Sequence, residues 1–153
     1  MANGNADLQA NLVATPQVRS KVNRYGGRIR HFEATYTVPA AAGPGIGETI
    51  TWGSLPIGAR VLGHLSKLYW SAGAASSTLN LGDAASAARH LAATGVTAAG
   101  GAVPEAASAN GAQFEASDAS TAATNNCTLI STVAGAALQA AQVITLKIAY
   151  VSD

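Results

Sequence analysis

Residues 48–83 read ETITWGSLPIGARVLGHLSKLYWSAGAASSTLNLGD. Ile50 and Trp52 alternate with threonines, as in a strand with one apolar and one polar face. Residues 77–81 alternate in the same way and end at a Gly-Asp pair. The Gly and Pro residues between these segments favour turns. The stretch therefore predicts three short strands joined by turns, and it contains no catalytic motif.

The middle segment, residues 61–70, has the least regular pattern of the three. Leu62, Leu65 and Leu68 have the spacing of one helix face. Gly63 within the segment, and the Gly- and Ser-rich residues after it, are more typical of a strand followed by a turn. We therefore favour a strand over a helix here.

Further strands are predicted on both sides of this stretch. Residues 28–38 alternate between apolar and polar side chains and stop at Pro39, which cannot donate a ladder hydrogen bond. A loop then leads to the strand near Glu48, and this arrangement predicts a first hairpin. Residues 128–133 and 142–151 also alternate, and residues 113–116 suggest a brief strand.

The segment between residues 84 and 123 is the least informative. Asp83 could cap a short helix that Gly95 ends, because Asp accepts amide hydrogen bonds at helix starts and Ala is the best helix former. Residues 97–112, TAAGGAVPEAASANGA, have low complexity. They are predicted to form a loop at the rim of the domain or at a subunit contact.

These elements predict an all-β protein, a jelly-roll-like β-sandwich of about seven or eight strands with an extended N-terminal arm. The length of 153 residues suits one domain. We assign the arm to residues 1–27 and the sandwich to residues 28–153.

Basic residues are concentrated where the arm meets the sandwich. More than half of the nine lie within residues 17–31, which contain no acid; they are Arg19, Lys21, Arg24, Arg28 and Arg30. Such a cluster could dock on an acidic protein partner, or it could mark a charged strand edge that discourages unwanted pairing. Nucleic-acid binding is less consistent with the sequence, because acids elsewhere reduce the net charge to +1.

The overall composition is poor in charge. Charged residues make up 11% of the chain, against roughly 25% in ordinary soluble proteins. A weakly charged surface suits a protein packed against others, since interface cores are depleted of charge. Codon bias in a GC-rich genome, which enriches Ala and Gly, would give the same composition.

No sequence motif points to catalysis. The three histidines do not form an H-x-H or H-E-x-x-H arrangement, and the chain has no G-x-S-x-G or phosphate-binding loop. Cys127 fits a small strand side chain. We therefore expect no enzyme activity, catalytic residue, metal or cofactor, although a triad assembled only in space stays open. Neither a secretory signal nor a membrane span is evident, which predicts synthesis in a cytoplasm.

Three segments together resemble a known family. The order of TWGSLPIGARVLG at 51–63, ASSTLNLGD at 75–83 and VITLKIAYV at 143–151 is similar to that in the capsid cement, or head decoration, proteins of tailed bacteriophages. The similarity covers residues 28–83 and the last dozen, and nothing transfers between residues 84 and 123.

The resemblance implies a virion protein on the outer capsid surface, made in the host cytoplasm. Its partner would be the major capsid protein, whose neighbouring subunits it would staple together, with no nucleic-acid or membrane partner. Self-association is also expected, with a homodimer favoured and a homotrimer as the alternative. A tail-fibre or receptor-binding head domain is the second interpretation, although the chain has no shaft repeat.

Six residues are candidates for capsid binding. The cations are expected to guide docking, and buried aromatics often dominate interfaces, although each tryptophan also fits the core of the sandwich. The candidates are Arg19, Lys21, Arg24, Trp52, Trp70 and Pro104.

Overall fold

The computed structural model describes residues 16, 27–41, 43–105, 114–117, 120–121 and 123–152. These residues form nine strands and one turn of 3-10 helix, Gly63–Leu65. The strands are β1 (Arg28–Thr37), β2 (Thr49–Ser54), β3 (Arg60–Val61), β4 (Lys67–Trp70), β5 (Thr78–Leu81), β6 (Leu91–Gly95), β7 (Gly100–Ala102), β8 (Thr128–Ala134) and β9 (Val143–Ser152).

The strands form two antiparallel sheets. The five-stranded sheet has the order β1-β9-β4-β7, with β3 also paired to β9, and the four-stranded sheet has the order β2-β8-β5-β6. The chain crosses repeatedly from one sheet to the other, as in a jelly roll. The all-β sandwich prediction is confirmed, with nine strands instead of seven or eight.

The core lies between the two sheets and follows the predicted alternation. In β9, Ile144, Leu146 and Ile148 are fully buried, and in β2 the buried residues are Ile50 and Trp52. Their neighbours in sequence point outward, because successive strand side chains lie on opposite faces. Further core residues are Leu68, Leu79, Leu81, Leu129 and Val133.

The single strand predicted over residues 61–70 is wrong, because the chain leaves β9 and then returns to it. Both β3 and β4 pair with β9. Residues 62–66, which include the 3-10 turn, connect these two strands. The Ser66 hydroxyl accepts a hydrogen bond from the Ala149 amide at 2.9 Å, and the Leu62 amide donates to the Ala149 carbonyl at 2.8 Å. The helical spacing of Leu62, Leu65 and Leu68 therefore coincides with a real helical turn, Gly63–Leu65, that interrupts the strand.

The predicted first hairpin is also wrong. β1 pairs with β9, which places Phe32 opposite Ile148, whereas β2 pairs with β8 in the other sheet. The connection between β1 and β2 therefore passes from one sheet to the other. Alternation showed which face of each strand is buried, but it carried no information about the pairing partner.

The helix predicted after Asp83 is absent, although its capping interactions are present. Asp83 Oδ1 accepts hydrogen bonds from the amides of Ala85 and Ser86, both at 2.9 Å, in a turn that is not continued. The His90 amide then donates to the Leu81 carbonyl at 2.9 Å and draws the chain into β6. Tertiary pairing has overridden the helix propensity of the alanines.

Two smaller predictions in this region need correction. The predicted loop over residues 97–112 contains β7, whose glycines pair with β4 and allow Gly100 to pack against Trp70. For the predicted strand over residues 113–116, Gln113 lies outside the described residues, and Glu115 forms an isolated bridge with Arg60.

Candidate binding faces

Four of the six predicted contact residues cannot be assigned to a surface: three lie outside the described residues and one is buried. Arg19, Lys21 and Arg24 lie outside the described residues. Pro104 is buried, and its carbonyl oxygen would be 2.6 Å from a Cβ placed on Gly63, so the chain after β7 packs closely on the 3-10 turn.

Both tryptophans lie in the core, which is the second role that the sequence left open. Trp52 is 7% exposed and donates from Nε1 to the Ser131 hydroxyl at 2.9 Å. Trp70 is 8% exposed and donates from Nε1 to the Ala98 carbonyl at 2.8 Å. Each indole therefore buries its ring and satisfies its N–H inside the sandwich.

One group of ionisable and aromatic side chains fastens the turn before β6. Arg89 forms an ion pair with buried Asp83, and its guanidinium lies 4.5 Å from the centre of the Phe114 ring. His90 meets the same ring edge-on, with the ring centres 5.3 Å apart. These contacts join the turn to the segment around residue 114.

His90 is held in its neutral form by this environment. Burial lowers the pKa of His90 from 6.5 to about 4, an effect that nearby Asp83 opposes and Arg89 reinforces. Among the described residues, its buried Nε2 has no hydrogen-bond partner. The neutral imidazole therefore serves as a packing group at this position.

The described residues do not assemble a metal-binding cluster. Over the described ranges, no group of three His, Cys, Asp or Glu side chains is placed to hold an ion. The Glu48 carboxylate accepts the Gly45 amide at 2.7 Å and stabilises a turn, and Cys127 is buried. No helix in the described part of the chain is long and apolar enough to cross a membrane.

The outer face of the five-stranded sheet carries charge. We call it the charged face and define it by the outward-facing residues of β1, β4 and β9. They are Ile29, His31, Glu33, Thr35, Thr37, Lys67, Tyr69, Val143, Thr145 and Lys147.

Side chains on the charged face contact one another across the strands. Lys147 Nζ lies 3.1 Å from Glu33 Oε2, and the hydroxyls of Thr35 and Thr145 are 2.9 Å apart. Lys67 lies directly opposite Lys147 in the register. Its Nζ lies 4.9 Å from the centre of the Tyr69 ring, a cation–π contact.

The outer face of the four-stranded sheet is different in kind. We call it the threonine face, and its residues are Thr49, Thr51, Thr78, Asn80, Thr128, Ile130 and Thr132. No charged residue occurs anywhere in β2, β5, β6 or β8. The strands of this sheet therefore present a neutral, hydroxyl-rich surface.

Large exposed apolar side chains are also unevenly distributed between the two faces. Ile29, Tyr69 and Val143 are 64%, 41% and 39% exposed on the charged face, whereas the other large exposed apolar residues, Ile46, Ile57, Leu65 and Val103, lie in connections between strands and belong to neither face. Among the described residues, none of the large exposed hydrophobics lies on the threonine face. Sequence reasoning missed this surface, although Lys67, Tyr69 and Lys147 stood at outward positions of two predicted strands.

Structural comparison finds a similar fold in a phage capsid. A chain in the capsid asymmetric unit of cyanophage Pam1 matches with a TM-score of 0.59 and 23% identity over 100% of both chains. A chain of the acid-stable capsid of the Helicobacter pylori bacteriophage KHP30 matches with a TM-score of 0.41 and 15% identity, covering 81% of this chain and 87% of that one. No protein-family model and no curated protein sequence matches the chain.

Proposed function

We propose that this chain is a structural virion protein of a bacteriophage, a cement protein that binds the outer surface of the head and staples neighbouring major capsid subunits. The observation that carries the proposal is the full-length fold match to a chain of the Pam1 capsid. The similarity of three strand segments to phage decoration proteins supports the same role independently of the coordinates.

The proposed mechanism is adhesion at several points. Each copy bridges two or more shell subunits, and the lattice fixes their spacing, so that individually modest contacts add as avidity. A ligand that binds the assembled shell and not its separated subunits stabilises the shell by linkage. The sandwich supplies a rigid body for this purpose, and the mechanism requires no covalent chemistry, catalytic residue or cofactor.

We also propose partners for this chain and a location in the virion. The main partner is the major capsid protein, contacted in part through the arm cations Arg19, Lys21 and Arg24, and copies also contact one another, with a homodimer favoured. The protein is made in the host cytoplasm and ends on the outer capsid surface, without a nucleic-acid or membrane partner.

Adding the purified protein to heads that lack it tests the proposal directly. We expect saturable binding and a higher temperature of head disruption, because a ligand that binds only the assembled state stabilises that state, and more so as the free ligand concentration rises above Kd. Failure of the protein to bind heads at any concentration would reject the role. Binding confined to a tail structure or to host cells would instead identify a fibre or receptor-binding domain.

A further inference from the structure

The two outer faces of the sandwich differ in what they offer a protein partner. The charged face carries Tyr69, Val143 and Ile29 as exposed large apolar side chains, and the threonine face carries none among the described residues. Aromatic residues are enriched at protein interfaces, and Tyr is one of the residue types that dominate their energetics. The uneven distribution therefore favours the charged face as the docking surface.

The two lysines of this face have unequal surroundings. Lys67 and Lys147 are directly opposite each other on neighbouring strands, an arrangement that is unfavourable for like charges. Glu33 neutralises Lys147 at 3.1 Å. Lys67 has no carboxylate within ion-pair distance over the described ranges, and its ammonium instead contacts the Tyr69 ring. A carboxylate from a partner would give Lys67 an ion pair like the one that Lys147 already forms with Glu33.

The absence of a side chain at Gly101 leaves room for Lys67 and Tyr69. A Cβ on Gly101 would lie 2.9 Å from Lys67 Cε and 3.2 Å from Tyr69 Cδ1, so both side chains occupy the space above this glycine. The lysine stem and the tyrosine ring therefore lie over β7.

From these observations we infer that the charged face docks on a protein surface that presents a carboxylate, with the Tyr69 ring at the centre of the contact and the Lys67 ammonium beside it at the polar rim. The inference rests on the proposed function and assigns the partner surface to a subunit of the head shell. The ammonium of Lys67 receives the carboxylate, and the Tyr69 ring packs against apolar atoms beside it. The threonine face stays outside this contact.

Charge reversal at Lys67 separates docking from folding. In the Lys67→Glu variant the new carboxylate lies opposite Lys147, a favourable cross-strand pair, so the melting temperature should stay the same or rise slightly. Docking should weaken by about tenfold or more, because the partner then meets a like charge. Thr51→Glu, which places a carboxylate at an exposed position of the threonine face and lowers the net charge by one unit instead of two, is the control and should bind like the wild type.

Tyr69→Ala provides a second, uncharged test of the same contact. We expect weaker binding to heads at every salt concentration, whereas the effect of Lys67→Glu should shrink as salt screens the charge. Binding is measured by co-sedimentation of each variant with heads that lack the protein.

The outcomes separate the docking face from the function. If the wild type binds heads and Lys67→Glu and Tyr69→Ala bind as well as the wild type, the docking face is rejected and the cement role stands. A larger loss in Thr51→Glu than in Lys67→Glu would also reject it, in favour of the threonine face. If the wild type does not bind, the proposed function falls and the docking face falls with it.

Discussion

The two outer faces of this sandwich differ in charge and apolar exposure although the two sheets share one core. In the five-stranded sheet, cations and an acid pair across strands beside an exposed tyrosine, and the four-stranded sheet contains no charged residue in any strand. Burial constrains both inner faces equally, because an unpaired buried polar group is costly. The outer faces are free of that constraint, so their difference is where a binding role can be encoded.

The two tryptophans, one in each sheet, should contribute equally to stability. Replacing either one should lower the free energy of unfolding more than any other substitution considered below. Trp52 lies under the threonine face and Trp70 lies in the five-stranded sheet, and both are buried. Trp→Ala at either position should lower the free energy of unfolding by about 3–5 kcal/mol. Chemical denaturation measures this, with exposed Thr51→Ala as a control expected to change it by less than about 0.5 kcal/mol.

A loss of head binding at unchanged stability would contradict the core assignment for either tryptophan. It would also show that one of the two faces opens to expose its indole.

Acid should weaken the four-stranded side through His90, which directly precedes β6. The folded pKa of about 4 lies below the ordinary value of 6.5, so the unfolded chain binds the proton more readily between these values. The contribution of the neutral His90 to the free energy of unfolding is fully present above pH 6.5 and is lost as the pH falls through about 4. At 1.36 kcal/mol per pKa unit it amounts to about 3 kcal/mol.

The comparison of wild type with His90→Gln checks this prediction. The variant should show a flatter fall in unfolding free energy between pH 6.5 and pH 4, measured by denaturation at several pH values. An identical pH profile in the two proteins would show that the imidazole does not titrate in this way.

The interrupted strand of the five-stranded sheet depends on the buried Ser66 hydroxyl. Ser66→Ala removes the hydroxyl that accepts the Ala149 amide in a buried position. An unpaired buried amide costs about 1–3 kcal/mol, and we expect a loss of stability in that range. Ser54→Ala removes an exposed hydroxyl that is hydrogen-bonded to Thr128 in the four-stranded sheet, and it should lower the free energy of unfolding by less than about 0.5 kcal/mol. Equal losses in the two variants would mean that a water replaces the Ser66 hydroxyl.

The smallest effect on stability is expected from residues 19–24 of the predicted N-terminal arm, whose proposed role is in binding. Replacing Arg19, Lys21 and Arg24 together by Ala should change the free energy of unfolding by less than about 0.5 kcal/mol and weaken attachment to heads. Adding Lys67→Glu should weaken attachment further and additively if arm and charged face bind independently. Undiminished attachment of the triple variant at low salt would remove the arm from the account.

Local patterns in the sequence predicted the parts of the fold that depend on neighbouring residues. The alternation in residues 143–151 and in Ile50 and Trp52 identified the buried faces, because burial on one side of a strand imposes a period of two. The partners of β1 and β2 were missed, since period and turns do not encode which strand lies beside another. At Asp83, the same side-chain chemistry serves a helix cap or a turn, and only the sheet decides between them.

The candidate site was less accessible from sequence for a related reason. The tryptophans were considered as anchors because large aromatics are enriched at interfaces, but the same size makes them core residues here. The proposed docking pair, Lys67 and Tyr69, depends on Gly101 and Lys147 from two other strands. Such a grouping exists only after β4, β7 and β9 have paired.

Counting this protein in purified phage particles tests the cement role most directly. The number of copies should be comparable with that of the major capsid subunit, and removal of the protein should lower the temperature at which heads break open. Absence from the particle, or a copy number that matches the tail fibres instead of the shell, would contradict the account.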